Sequence, residues 1–107
     1  MYELRRTYVT LPGKERLVAS ILQKAGNMLV EAGMRNPFHV SFNGGTTPGE
    51  KQRVQVTWTS EKLESPMRAG NQNPEGYGEF IKDRDQYTTD TWLEISELMN
   101  DDKLVDA

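Results

Sequence analysis

Two segments of strict alternation constrain the fold most. In FHVSFN, residues 38–43, Phe38, Val40 and Phe42 alternate with His39, Ser41 and Asn43. In RVQVTWT, residues 53–59, Val54, Val56 and Trp58 alternate with Arg53, Gln55, Thr57 and Thr59. Successive side chains of a strand point to opposite faces, so each segment has one apolar and one polar face. The intervening GGTTPGEKQ, with three glycines and a proline, reads as a long hairpin loop. Pairing Phe42 with Val54 sets Val40 opposite Val56 and Phe38 opposite Trp58, so the apolar faces coincide.

Those faces need a cover, and the rest of the chain supplies one. In LPGKERLVASILQKAGNMLVEAG, the residues Leu17, Val18, Ile21, Leu22, Ala25, Met28, Leu29 and Ala32 fall on one helical stripe. Pro12 suits the start of this helix and Gly33 its left-handed stop. Gly26 inside it costs about 1 kcal/mol relative to alanine, which predicts close packing at that turn. A short helix capped by Ser60 is expected over TSEKLESPMRAG, limited by Pro66 and Gly70. A second helix is expected over NPEGYGEFIKDRDQY, with Asn73 as N-cap, Pro74 at the first helical position and Tyr77, Phe80 and Ile81 as its apolar contacts. TTDTWLEISELM is compatible with helix or strand. Thr89, Thr91, Trp92 and Ile95 favour a strand, with Leu93 and Ile95 on its core face and Trp92 and Glu94 opposite. NDDKLVDA is expected to be a frayed tail.

The first strand, within YELRRTYVTL, poses a parity problem, because Leu4 and Val9 cannot share one face of a flat strand. A one-residue bulge near Arg5–Arg6 would place Val9 with the core and Arg6 and Tyr8 on the opposite face. The resulting order, strand, helix, strand, strand, helix, strand, predicts an α+β, ferredoxin-like βαββαβ domain over residues 1–107, with a four-stranded antiparallel sheet and both helices on one side.

Composition narrows the function classes. The 107 residues carry 13 basic and 16 acidic side chains, a net charge of −3 that disfavours a general nucleic-acid binder. The absence of cysteine excludes disulfides, thiolate metal sites and a cysteine nucleophile, and the single histidine excludes a histidine metal cluster. The aspartates show no metal-binding spacing, and GGTTPGEK lacks the phosphate-loop pattern. No apolar run resembles a leader or a membrane span, so a cytoplasmic protein without membrane or nucleic-acid partners is expected. No metal or other cofactor is expected.

YELRRTYVTLPGK resembles the opening of NIPSNAP-family proteins, in which a YELR-type strand leads through a TY pair to a PGK turn. VTWTSEKLES is similar to their strand that ends in Trp and enters a helix through Ser and Leu. NPEGYGEF resembles their Asp-Pro-Glu-Trp-type helix start, with Asn73 and Tyr77 replacing the commoner residues. This sequence has one extra residue between YELR and PGK, in keeping with the expected bulge. The resemblance implies a dimeric α+β barrel, related to antibiotic-biosynthesis-monooxygenase-type domains, in which two sheets face each other across a two-fold axis. A homodimer with a small-molecule ligand is therefore expected, and most such bacterial proteins have no assigned reaction. The haem-degrading relatives use a helical histidine as iron ligand, and neither expected helix here contains one.

The polar sheet face then lines the candidate pocket: Arg6, Tyr8, His39, Ser41, Asn43, Arg53, Gln55, Thr57, Trp92 and Glu94. An open, solvated sheet face is the competing reading. The alternation alone does not decide which face lines the barrel interior. Arg53, with Asn43 beside it, is the expected holder of a small carboxylate, and Glu94 is expected to neutralise Arg6 across the strands. Cofactor-independent oxygenases of this superfamily use residue types such as Asn43, Trp92, Tyr8 and Tyr77 to hold a phenolic substrate. Two functions remain open: a small-molecule-binding or accessory protein, and a cofactor-independent monooxygenase-like enzyme on a small aromatic or carbonyl compound. No catalytic residue is assigned.

Overall fold

The computed structural model describes residues 1–63 and 74–106. Strand β1 (Tyr2–Thr10) leads into helix α1 (Glu15–Glu31), the hairpin β2 (Phe38–Asn43) and β3 (Arg53–Ser60), helix α2 (Tyr77–Tyr87) and strand β4 (Thr88–Glu97). The sheet order is β2-β3-β1-β4, with every neighbouring pair antiparallel. This is the ferredoxin-like α+β arrangement.

The hairpin has the register that its alternation demands, Phe38 opposite Trp58, Val40 opposite Val56 and Phe42 opposite Val54. The core forms where α1 lies on this face. Val18, Ala19 and Leu22 of the helix pack with Tyr8, Val54 and Val56, and Phe38, Val40, Trp58 and Tyr87 close around them. Leu17, expected on the stripe, is exposed at its margin. Gly33 ends the helix in the left-handed region, at φ 71°, and Met34 N–H returns to Leu29 O at 2.9 Å.

The expected bulge in β1 is not there. Tyr2 to Val9 pair without interruption with both β3 and β4, and the register shifts only between Val9 and Thr10, opposite β4. Leu4, Arg6 and Tyr8 therefore share one face with Trp58, Val56 and Val54, under the helices. The parity problem is solved by Val9, which turns to the other face and stays half-buried. A tyrosine ring fills more of the core than a valine, and burying it decides the register.

Helix α2 also starts later than expected. Gly76 takes a φ of 85°, and Tyr77 N–H closes a turn onto Pro74 O at 3.1 Å, so Pro74 precedes the helix instead of opening it. Ser60 ends β3 and closes a local turn with Lys62. The short helix expected over residues 59–70 does not start at Ser60, which is the last residue of β3 and is followed by a bend; the remainder from residue 64 and the Asn73 cap lie outside the described residues. The tail holds a short 3-10 helix, Asp101–Lys103, and Lys103 reaches back to Leu98 O (2.7 Å) and Glu97 (3.1 Å).

Gly26 carries the close packing that its position predicted. A Cβ built there would overlap the ring of Phe38 on β2. In most helices a glycine-to-alanine change gains about 1 kcal/mol. Here the overlap reverses the sign, and Gly26→Ala is expected to lower stability by about 1–3 kcal/mol through overpacking. Urea denaturation measures it, and a variant more stable than the parent would show that α1 does not sit on Phe38.

Candidate functional site

The sheet has two faces with different chemistry. On the open face, away from the helices, lie eight of the ten expected residues: His39, Ser41 and Asn43 on β2, Arg53, Gln55 and Thr57 on β3, and Trp92 and Glu94 on β4. Arg6 and Tyr8 do not join them, because the unbroken register of β1 turns both beneath the helices. Arg5 and Thr7 take their places on the open face. Glu94 consequently faces Arg5, not Arg6, and its carboxylate accepts a hydrogen bond from Trp92 Nε1 at 3.3 Å.

Many polar groups of the open face are already engaged. Thr7 is buried between Gln55 and Trp92, and Gln55 Nε2 donates to its hydroxyl at 3.3 Å. Arg53 and Asn43 stand opposite each other as expected, but each serves the hairpin loop. Arg53 donates to Lys51 O (3.0 Å) and meets Glu50 at 3.9 Å. Asn43 donates to Thr47 O and accepts from Gly45 N–H at 2.9 Å. What remains uncovered is apolar as well as polar, since Trp92 is 39% exposed.

The helix side holds a cluster of a different kind, centred on Tyr8. Its ring is 5% exposed, and Arg84 of α2 donates to its hydroxyl through Nη1 at 3.3 Å, with the guanidinium 5.2 Å from the ring centre. Arg6, one residue pair along β1 on the same face, donates to the Thr91 hydroxyl at 3.3 Å. Arg35, in the turn after α1, lies over the Trp58 ring at 4.3 Å. Tyr77 stands on the inward stripe of α2 that also carries Phe80, Ile81, Arg84 and Tyr87.

Three guanidiniums thus gather over one patch of the sheet. Among the described residues the carboxylate that meets one of them is Asp85, 2.9 Å from Arg84 and itself largely exposed. Burial lowers the pKa of Arg35 below its ordinary range; the phenols of Tyr77 and Tyr8 oppose this, and the like charge of Arg6 adds to it. For Arg84, burial also works against the charge, but Tyr8 and Asp85 outweigh it and hold its pKa above the usual value. Burial pushes the Tyr8 phenol above its ordinary value of 10, against the pull of Arg84 and Arg6. Tyr8 is therefore a neutral donor at physiological pH, not a base. Among the described residues no group of His, Asp or Glu is placed to hold a metal ion, and no helix is long and apolar enough to cross a membrane.

Arg35 and Arg84 are absent from the set expected from alternation. Arg84 had a signal: it falls seven residues after Tyr77 and three after Ile81, inside the apolar stripe of α2. Arg35 had none, because it lies in a turn whose direction depends on the whole of α1.

Solved structures share this fold. The crystal structure of protein Atu4242 from Agrobacterium tumefaciens superposes with a TM-score of 0.70 at 15% identity, over 98% of this chain and 100% of that one. An uncharacterized NIPSNAP domain protein from Burkholderia xenovorans superposes with a TM-score of 0.61 at 16% identity, over 99% of this chain and 100% of that one. No protein-family model and no curated protein matches the sequence. The chain thus shares the ferredoxin-like α+β fold of these two proteins, one of them a NIPSNAP domain protein.

The raised pKa of Tyr8 has a consequence for stability. Its folded value exceeds its unfolded value, so the contribution is complete below pH 10 and is lost as pH rises through the folded value. Tyr8→Phe is expected to cost about 1 kcal/mol at pH 8, the hydrogen bond from Arg84 being lost. Above pH 10 its stability should fall less steeply than that of the parent. Urea midpoints from pH 8 to 11 test this, and parallel curves would contradict it.

Proposed function

We propose that the protein is a small-molecule-binding homodimer. In this reading the open sheet faces of two copies meet across a two-fold axis as in a dimeric α+β barrel, and each copy holds its ligand on the helix side. The single observation that carries the binding reading is the cationic cluster around Tyr8. Arg35 is desolvated there, and among the described residues the one ion pair of the cluster is that of Arg84 with the exposed Asp85. Collecting like charges under a partly dry cover is costly unless a counter-charge completes the site.

Dimerisation is supported by the open face. The helices cover β1 and β3 on one side of the sheet but leave Phe42, Leu93 and Ile95 exposed there, while the other side presents the Trp92 indole among His39, Ser41, Thr57 and the mixed charges Arg5, Arg53 and Glu94. A two-fold axis through this face would set the Trp92 indole and these charges against the same groups of a second copy. The oxygenase reading draws less support, because the lone histidine and the Tyr8 cluster lie on opposite faces and Tyr8 is protonated at neutral pH.

Sedimentation equilibrium at micromolar concentration is expected to give a mass near twice 12.2 kDa. Trp92→Asp should return it to the monomer with its helical content intact. A parent protein that sediments as a monomer would refute the barrel, and an unchanged Trp92→Asp dimer would move the interface elsewhere.

A further inference from the structure

Within the small-molecule-binding reading, on which this inference rests, the geometry points to a ligand class: a small organic carboxylate, gripped by the guanidiniums of Arg6 and Arg35 under the helices. Three successive cross-strand rows of the sheet carry the site. The first pairs Leu4 with Trp58, the second Arg6 with Val56 and the third Tyr8 with Val54. Rows on one face of a strand are about 7 Å apart. Arg35 lies over the first row through Trp58, and Arg84 over the third through Tyr8. Arg6 springs from the row between them, and its guanidinium reaches Thr91, the β4 neighbour of Tyr8, so the charges of Arg6 and Arg84 stand at the third row and that of Arg35 at the first.

Their existing partners differ. Arg84 has Asp85 at 2.9 Å and the Tyr8 hydroxyl. Arg6 has one neutral hydroxyl, that of Thr91. Arg35 has the Trp58 ring, and among the described residues no carboxylate lies within ion-pair range of either Arg6 or Arg35. A planar carboxylate meets a guanidinium with two parallel hydrogen bonds, and these charge-assisted contacts are the strong ones. Tyr8 Oη accepts from Arg84, which leaves its own proton free to donate to the same anion.

The surroundings favour an organic acid over an inorganic ion. Tyr8, Trp58 and Tyr77 are aromatic, and Val56 and Leu93 flank Arg6. An apolar body gains from such walls, while a doubly charged phosphate loses more hydration than this partly apolar site returns.

Isothermal titration calorimetry on the parent protein with benzoate, benzamide, inorganic phosphate and a set of neutral aromatic compounds tests the assignment. Benzoate should bind, with benzamide and phosphate at least about tenfold weaker. Arg6→Gln and Arg35→Gln should each weaken benzoate about tenfold or more, whereas Arg16→Gln, an equal charge change on the exposed side of α1, should not. Circular dichroism and sedimentation check that the variants keep the parent's fold and mass. If Arg35→Gln does not fold, Arg35→Lys keeps the charge but not the fork, and it should still weaken benzoate. Phosphate binding tighter than benzoate overturns the carboxylate class. Binding of neutral compounds but not benzoate overturns the class and leaves the small-molecule reading standing, and no binding by any compound removes both. Weakening by Arg53→Gln but not Arg35→Gln moves the site to the open face and overturns the inference.

Discussion

A β-strand cannot turn one side chain inward without turning in those two residues away. In β1 that constraint couples Tyr8 to Arg6. The tyrosine ring is the part of β1 on which α1 and α2 rest, packed with Val18, Leu22 and Val54. Burying it commits Arg6 to the same face, where a charge has to be accommodated under a cover of helices. The Arg84 contact, the turn that brings Arg35 over Trp58 and the position of Thr91 all surround that commitment. The functional reading follows from this coupling, since a charge carried inward by strand geometry needs a partner once it arrives.

The parts of the fold legible in the sequence are those with a strict period. The hairpin register followed from the alternation of Phe38, Val40 and Phe42 against Val54, Val56 and Trp58, and the extent of α1 from its stripe and Gly33. The first strand differs from the expectation because Tyr8, not Val9, takes the core position. Hydrophobicity alone ranks valine above tyrosine, whereas burial in this sheet went to the larger ring with a partner for its hydroxyl. That difference moves Arg6 and Tyr8 to the helix side and leaves the other eight expected residues together on the open face. The start of α2 was misplaced for a different reason, since a proline compatible with a first helical turn is equally compatible with the turn before it.

The shared architecture with Atu4242 and the Burkholderia NIPSNAP domain extends over nearly the whole chain at 15–16% identity. At that distance the frame is common while the side chains on it are free to differ, and a frame alone does not specify a ligand. The residues that bear on function are therefore the ones that its frame does not require. A charged residue on the inward stripe of α2, and another on the inward side of β1, contribute nothing to a core that an apolar residue would not contribute more cheaply.

The seat of Phe38 against Gly26 also acts as an index mark. A helix lying on a smooth sheet can slip lengthwise by a turn, about 5.4 Å, while keeping its apolar stripe against the core. The ring of Phe38 occupies the one place on α1 where a side chain is missing, so every such slip would drive it into a neighbouring residue. The far end of α1 inherits that alignment. Arg35 follows four residues after the helix, and it lies over Trp58, the cross-strand neighbour of Phe38, so its place is referred to the same hairpin that holds the notch. A glycine in the middle of a helix thereby gauges where a guanidinium beyond its end comes to rest.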